Sequence, residues 1–125
     1  YDGRFNLVGL RTEYDFGKIV LKFMPYDTDD RFADIPELTI TDISLIGQEM
    51  IDLRNTPGWY FEFDKMAVSC YENEWKPAAS EGSYLTILEA EDGEGIIVDL
   101  ILSSEEPTFK YISTIDLHYE GLLMK

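Results

Sequence analysis

Positive charge, histidine and cysteine are all scarce in this chain. Its 125 residues hold 10 Lys and Arg against 25 Asp and Glu, with one histidine and one cysteine, for a formal net charge of −15. So few cations make no basic stripe for a phosphate backbone, and direct nucleic-acid binding is not expected. A single imidazole, His118, excludes a metal site built from several histidines and a histidine pair sharing proton transfer. Cys70 has no second cysteine to bridge to, which fits a reducing compartment and favours the cytoplasm. The chain opens at Tyr1 rather than at a methionine, so a removed N-terminal segment is expected, and any export signal would have been in it. Long apolar runs are missing too: Ile96 to Val98 and Leu100 to Leu102 fall far short of the roughly 20 residues that span a bilayer, so membrane insertion is not expected.

Catalytic signatures are equally thin. No glycine-rich phosphate loop and no Gly-x-Ser-x-Gly elbow occurs. Asp15-Phe16-Gly17 spells a triplet that kinases use for magnesium, but the glycine-rich loop and lysine that accompany it are absent, so it reads as a turn. The chain is not expected to be an enzyme.

What is present is a β pattern. Hydrophobic residues make up 45% and aromatics 14%, too apolar for disorder, and the length suits one domain with one core. Apolar residues recur with a period of 2 in short runs punctuated by Gly, Pro, Asp and Asn. In the last run Phe109, Tyr111, Ser113, Ile115, Leu117 and Tyr119 share one face while Lys110, Ile112, Thr114, Asp116 and His118 take the other, so one face is core and the other mostly solvent. Tyr84 to Ala90 and Ile96 to Leu102 flank a short glycine-containing linker and read as a hairpin; Phe5 to Thr12 and Lys18 to Met24, around Asp15-Phe16-Gly17, read as another.

The apolar phase changes between Ile40 and Ile43, which predicts a bulge near Asp42, and Asp64-Lys65 is either a tight turn or a bulge. Helix is confined to single turns near Arg31 to Asp34 or Glu49 to Leu53. The expected fold is all-β: a single-domain antiparallel β-sandwich or small β-barrel of about seven or eight strands.

The acidic residues concentrate in places. Asp27, Asp29, Asp30 and Asp34 share one loop, and Glu91, Asp92 and Glu94 share a turn. The first loop departs from an EF-hand because Arg31 takes a ligand position and the required glycine is missing, so both clusters read as solvated loops and no metal or cofactor is expected. Cys70 shares parity with Met66 and Val68 and reads as a small buried hydrophobe.

Strong negative charge without catalytic apparatus points to a soluble binding module that docks a basic protein partner, because charge complementarity speeds encounter and biases partner choice. Its composition is similar to that of immunity proteins of bacterial toxin systems, which implies an inhibitor of a toxin or nuclease. The expected contact residues are the acidic clusters just named together with Trp59, Tyr60, Trp75 and Tyr84, since Trp and Tyr anchor interfaces. An unpaired sheet edge would also allow a homodimer by strand pairing.

Two other readings follow from particular residues. Gly3-Arg4-Phe5-Asn6-Leu7-Val8 resembles the Gly-x-Trp opening of lipocalin-like barrels, with Phe5 in the tryptophan position; the resemblance implies a ligand cavity in a barrel mouth. Glu62 and Asp64, beside Trp59, Phe61 and Phe63, suggest a carbohydrate-binding module with rings for a sugar; the competing expectation is that the rings are core and the carboxylates solvated.

Overall fold

The computed structural model describes residues 2–4, 9–24, 35–63, 66–70, 79–89, 95–103 and 114–122. Ten strands form: β1 (Asp2–Arg4), β2 (Gly9–Asp15), β3 (Lys18–Met24), β4 (Glu37–Ile40), β5 (Ile51–Asp52), β6 (Trp59–Phe63), β7 (Met66–Ser69), β8 (Tyr84–Glu89), β9 (Gly95–Ser103) and β10 (Thr114–Leu122). They make two five-stranded sheets, ordered β1-β10-β9-β8-β5 and β2-β3-β4-β6-β7. The all-β expectation holds, and the sandwich is the form taken rather than the closed barrel. The strand total exceeds the expected seven or eight because β1 and β5, of 3 and 2 residues, are too short to leave a period-2 signal. Every pairing is antiparallel except β1 with β10, which run parallel.

One apolar layer joins the sheets. Leu21, Phe23, Leu38, Ile40, Trp59 and Phe61 enter it from the second sheet, and Leu85, Ile87, Val98, Leu100, Ile115 and Leu117 from the first. Each such side chain contributes about 1.5–3 kcal/mol by leaving water. Along β9 the rule is simple: Val98, Leu100 and Leu102 are buried, and the intervening Ile97, Asp99 and Ile101 face outward.

The connections explain the two changes of phase. The strand β4 stops at Ile40, and the chain enters a 3-10 turn over Ile43–Leu45 instead of the expected bulge. Asp42 caps that turn, its Oδ1 accepting from the Ser44 N–H at 3.0 Å and from the Ser44 hydroxyl at 2.6 Å. The second change of phase falls between β6 and β7, which pair antiparallel up to Phe63 with Met66; Asp64-Lys65, expected as a tight turn or a bulge, lie outside the described residues. The region Glu49 to Leu53 holds β5 rather than a helical turn, because Ile51 pairs with Leu85 and is drawn into the core. The other expected turn, Arg31 to Asp34, lies outside the described residues.

The β2–β3 hairpin closes over Phe16-Gly17, with Asp15 opposite Lys18. Both turn residues have positive φ, 47° and 82°, the pattern of a type I′ hairpin turn.

Candidate functional site

The outer face of the first sheet combines exposed apolar side chains with one sign of charge. Cross-strand register lays out its rows: Asp52, Tyr84, Ile101 and Asp116 in one; Thr86, Asp99 and His118 in the next; Leu88, Ile97 and Glu120 in the third. Tyr84 and Ile101 are direct neighbours on this face, 37% and 42% exposed. Met50 is exposed beside them, its backbone N–H donating to the outward Thr86 hydroxyl at 2.9 Å.

The charges on this sheet are nearly all negative. The strands β5, β8, β9 and β10 carry Asp52, Glu89, Asp99, Asp116 and Glu120 and contain neither Lys nor Arg. His118 is their one cation-forming side chain, with Nδ1 3.5 Å from Asp99 Oδ1. At the sheet edge, β1 puts Arg4 in register with Asp116. Asp52 is already engaged, since its carboxylate accepts from the Arg54 N–H at 3.1 Å and from the Asn55 side-chain amide at 2.7 Å.

The second sheet is electrically mixed. Arg11, Lys22, Glu37 and Glu62 form one row across β2, β3, β4 and β6. Lys22 Nζ lies 2.9 Å from Glu13 and 3.9 Å from Glu37. Burial raises the Glu37 carboxyl above its ordinary value; Lys22 opposes that shift, and the nearby charges of Glu62 and Glu13 add to it. A raised carboxyl beside a second carboxylate is an arrangement used for acid–base catalysis. Here the pair sits on a flat sheet face with Lys22 bridging two of its members, so it reads as a surface ion cluster.

The expected contact residues are placed unevenly. Asp27, Asp29, Asp30, Asp34, Trp75, Glu91, Asp92 and Glu94 lie outside the described residues. Trp59 is 3% exposed in the core, and its indole N–H donates to the Thr56 carbonyl at 2.7 Å, so its ring is withdrawn from any surface. Tyr60 is half-buried on the outer face of the second sheet, opposite Thr39 and Ser69. Among the described residues of the aromatic set, Tyr84 alone stands on the acidic face.

The alternatives fare as follows. Trp59 and Phe61 are buried, so those rings make no platform for a sugar beside Glu62. The sheets face each other as a sandwich, which departs from the closed barrel that the lipocalin-like opening implies. Cys70 packs against the core, and its thiol reaches the Arg54 carbonyl at 3.3 Å. Burial, then the charge of Asp52, raises that thiol's pKa, and His118 faces outward on the other sheet; no nucleophile–base pair is assembled from these two. Among the described residues no group of three or more His, Cys, Asp and Glu is placed to hold a metal, and no helix is long and apolar enough to cross a membrane.

Comparison with known proteins finds no matching family model, no matching curated protein and no matching solved structure.

Ile101, Asp99 and Asp116 were not singled out as contact residues from the sequence. The signal was available in the run from Ile96 to Leu102, which is apolar at both parities. A strand apolar on both faces is the pattern of a sheet covered on both sides.

Proposed function

We propose that this protein is a non-catalytic binding module that docks a basic protein partner on the outer face of its first sheet. One observation carries the reading: β9 turns Ile97 and Ile101 outward, into a face to which β5, β9 and β10 contribute Asp52, Asp99, Asp116 and Glu120, with no Lys or Arg on β5, β8, β9 or β10. Protein interfaces have this plan, with an apolar centre inside a polar rim. A second copy of the chain meeting this face would oppose like charges, so the partner carries the opposite sign. An immunity or inhibitor role against a basic toxin or nuclease is the specific form of this reading that the composition favours.

The test uses the partner recovered from the native host. Its affinity is measured from about 0.05 to 0.5 M salt for the native chain and for Asp99→Lys with Asp116→Lys. Affinity is expected to fall with salt and to drop at least about tenfold on charge reversal, a loss of roughly 1.4 kcal/mol. Salt-independent binding, or binding indifferent to the reversal, rejects the proposal.

A further inference from the structure

We infer that this face recognises arginine in preference to lysine on its partner, a conclusion that rests on the docking reading above and deepens it. Tyr84 and Ile101 lie side by side as an exposed floor. Asp116 is the register partner of Ile101 on β10, and Asp99 precedes Ile101 by two residues on the same face of β9. The two carboxylates are thus diagonal neighbours, roughly 7–8 Å apart at the backbone; Asp116 lies across Ile101 from Tyr84, and Asp99 lies one step along β9, diagonal to both.

A guanidinium satisfies this arrangement better than an ammonium does. Its plane stacks on an aromatic ring, its stem lies along apolar surface, and its fork meets a carboxylate through two parallel hydrogen bonds. A lysine ammonium is a compact and strongly hydrated point charge that gains less from the floor and cannot make the fork. Asp52 flanks Tyr84 on the opposite side, but its oxygens cap the turn at Arg54 and Asn55. The proposed acceptors are therefore Asp99, which has the His118 imidazole 3.5 Å away, and Asp116, which has Arg4 in register on β1.

The probes are an oligoarginine and an oligolysine peptide of equal length, titrated calorimetrically at about 0.15 M salt with backbone NMR shifts mapping the contact. Oligoarginine is expected to bind about fivefold more tightly, the ratio that a cation–π contact of about 1 kcal/mol supplies. Tyr84→Ala is expected to bring that ratio to about one, and Tyr84→Phe to preserve it. Asp99→Asn with Asp116→Asn is expected to weaken oligoarginine at least about fivefold, whereas Glu13→Gln with Glu62→Gln, the same charge change on the other sheet, changes it less than about twofold.

Equal affinity for the two peptides, or an arginine preference that survives Tyr84→Ala, overturns the inference. If preference is lost but reversing Asp99 and Asp116 still weakens the natural partner, the docking reading stands without it. If substitutions on the two sheets weaken peptide equally, this face is not the site and both fall.

Discussion

Asp99 and His118 face each other across β9 and β10, with the carboxylate oxygen 3.5 Å from Nδ1 of the imidazole. Asp116 and Glu120 lie on the histidine's own strand, and Thr86 lies beyond Asp99. His118→Lys places a fixed cation beside one of the two proposed arginine acceptors and is expected to weaken oligoarginine at least about twofold by calorimetry. Unchanged affinity in the variant would show that Asp99 is not an acceptor.

Glu37 gives a pH signature on stability. Burial raises its carboxyl above the ordinary value, against the pull of Lys22, so the fold disfavours its ionised form. Its contribution is then fully present below the unfolded carboxyl's titration range and is lost as pH rises through the raised folded value. Glu37→Gln is expected to raise Tm at pH 7 and to change it little at pH 4. Thermal melts at the two values check the sign.

Gly58 is pressed against the capped turn. Its φ is 99°, its carbonyl accepts from the N–H groups of Thr41 and Asp42, and a Cβ added there would lie 2.5 Å from the Cβ of Asp42. Gly58→Ala combines left-handed strain with overpacking and should cost about 2–4 kcal/mol by urea titration. A loss below about 0.5 kcal/mol would mean that the turn yields freely.

Ser83 is fully buried where β8 begins, its hydroxyl accepting from the Ser103 N–H at 3.0 Å and donating to the Ser103 carbonyl at 3.3 Å. Ser83→Ala takes the hydroxyl acceptor from the Ser103 N–H, while the Ser103 carbonyl keeps the Ser80 N–H at 2.8 Å, and should cost about 1–3 kcal/mol. Amide exchange at Ser103 is expected to quicken in the variant, which a purely global loss of stability would not single out.

Phe16 stands entirely in solvent at the β2–β3 tip with φ 47°, a conformation that Asn and Gly adopt more readily. Phe16→Asn is expected to stabilise the fold by about 0.5–1 kcal/mol, read from chemical denaturation. A loss of stability would show that the ring contributes to the folded state.

Alternation along a strand was legible wherever the strand was long. Ile115 and Leu117 face the core and His118 faces out, as the last run predicted, with Phe109 to Ser113 outside the described residues; both expected strand pairs form, β8 with β9 and β2 with β3, although β2 runs from Gly9 to Asp15. Shorter signals misled. A change of phase at Asp42 has the same sequence appearance whether the chain bulges or leaves the sheet, and the Asp42–Ser44 cap decided for leaving. A 2-residue strand such as β5 has no period at all; its place is set by Ile51 meeting Leu85 across the chain.

The acidic face was harder still to read. Asp52, Asp99, Asp116 and Glu120 are spread over 69 positions of sequence and come together only through register, whereas the loops from Asp27 and from Glu91 look concentrated because their charges are adjacent in the chain. Trp59 shows the converse. Its side chain has the chemistry of an interface anchor, but its parity with Phe61 commits it to the interior.

The parallel pairing of β1 with β10 bears on how the molecule is made. Gly3 lies beside Ile115, so this pairing joins positions far apart in the sequence. Contacts of such sequence separation form late and slow folding, because a long loop must close before they return any free energy. Until then β10 lacks its parallel neighbour and the first sheet is one strand short. The outer face of that sheet is thus expected to be completed late in folding.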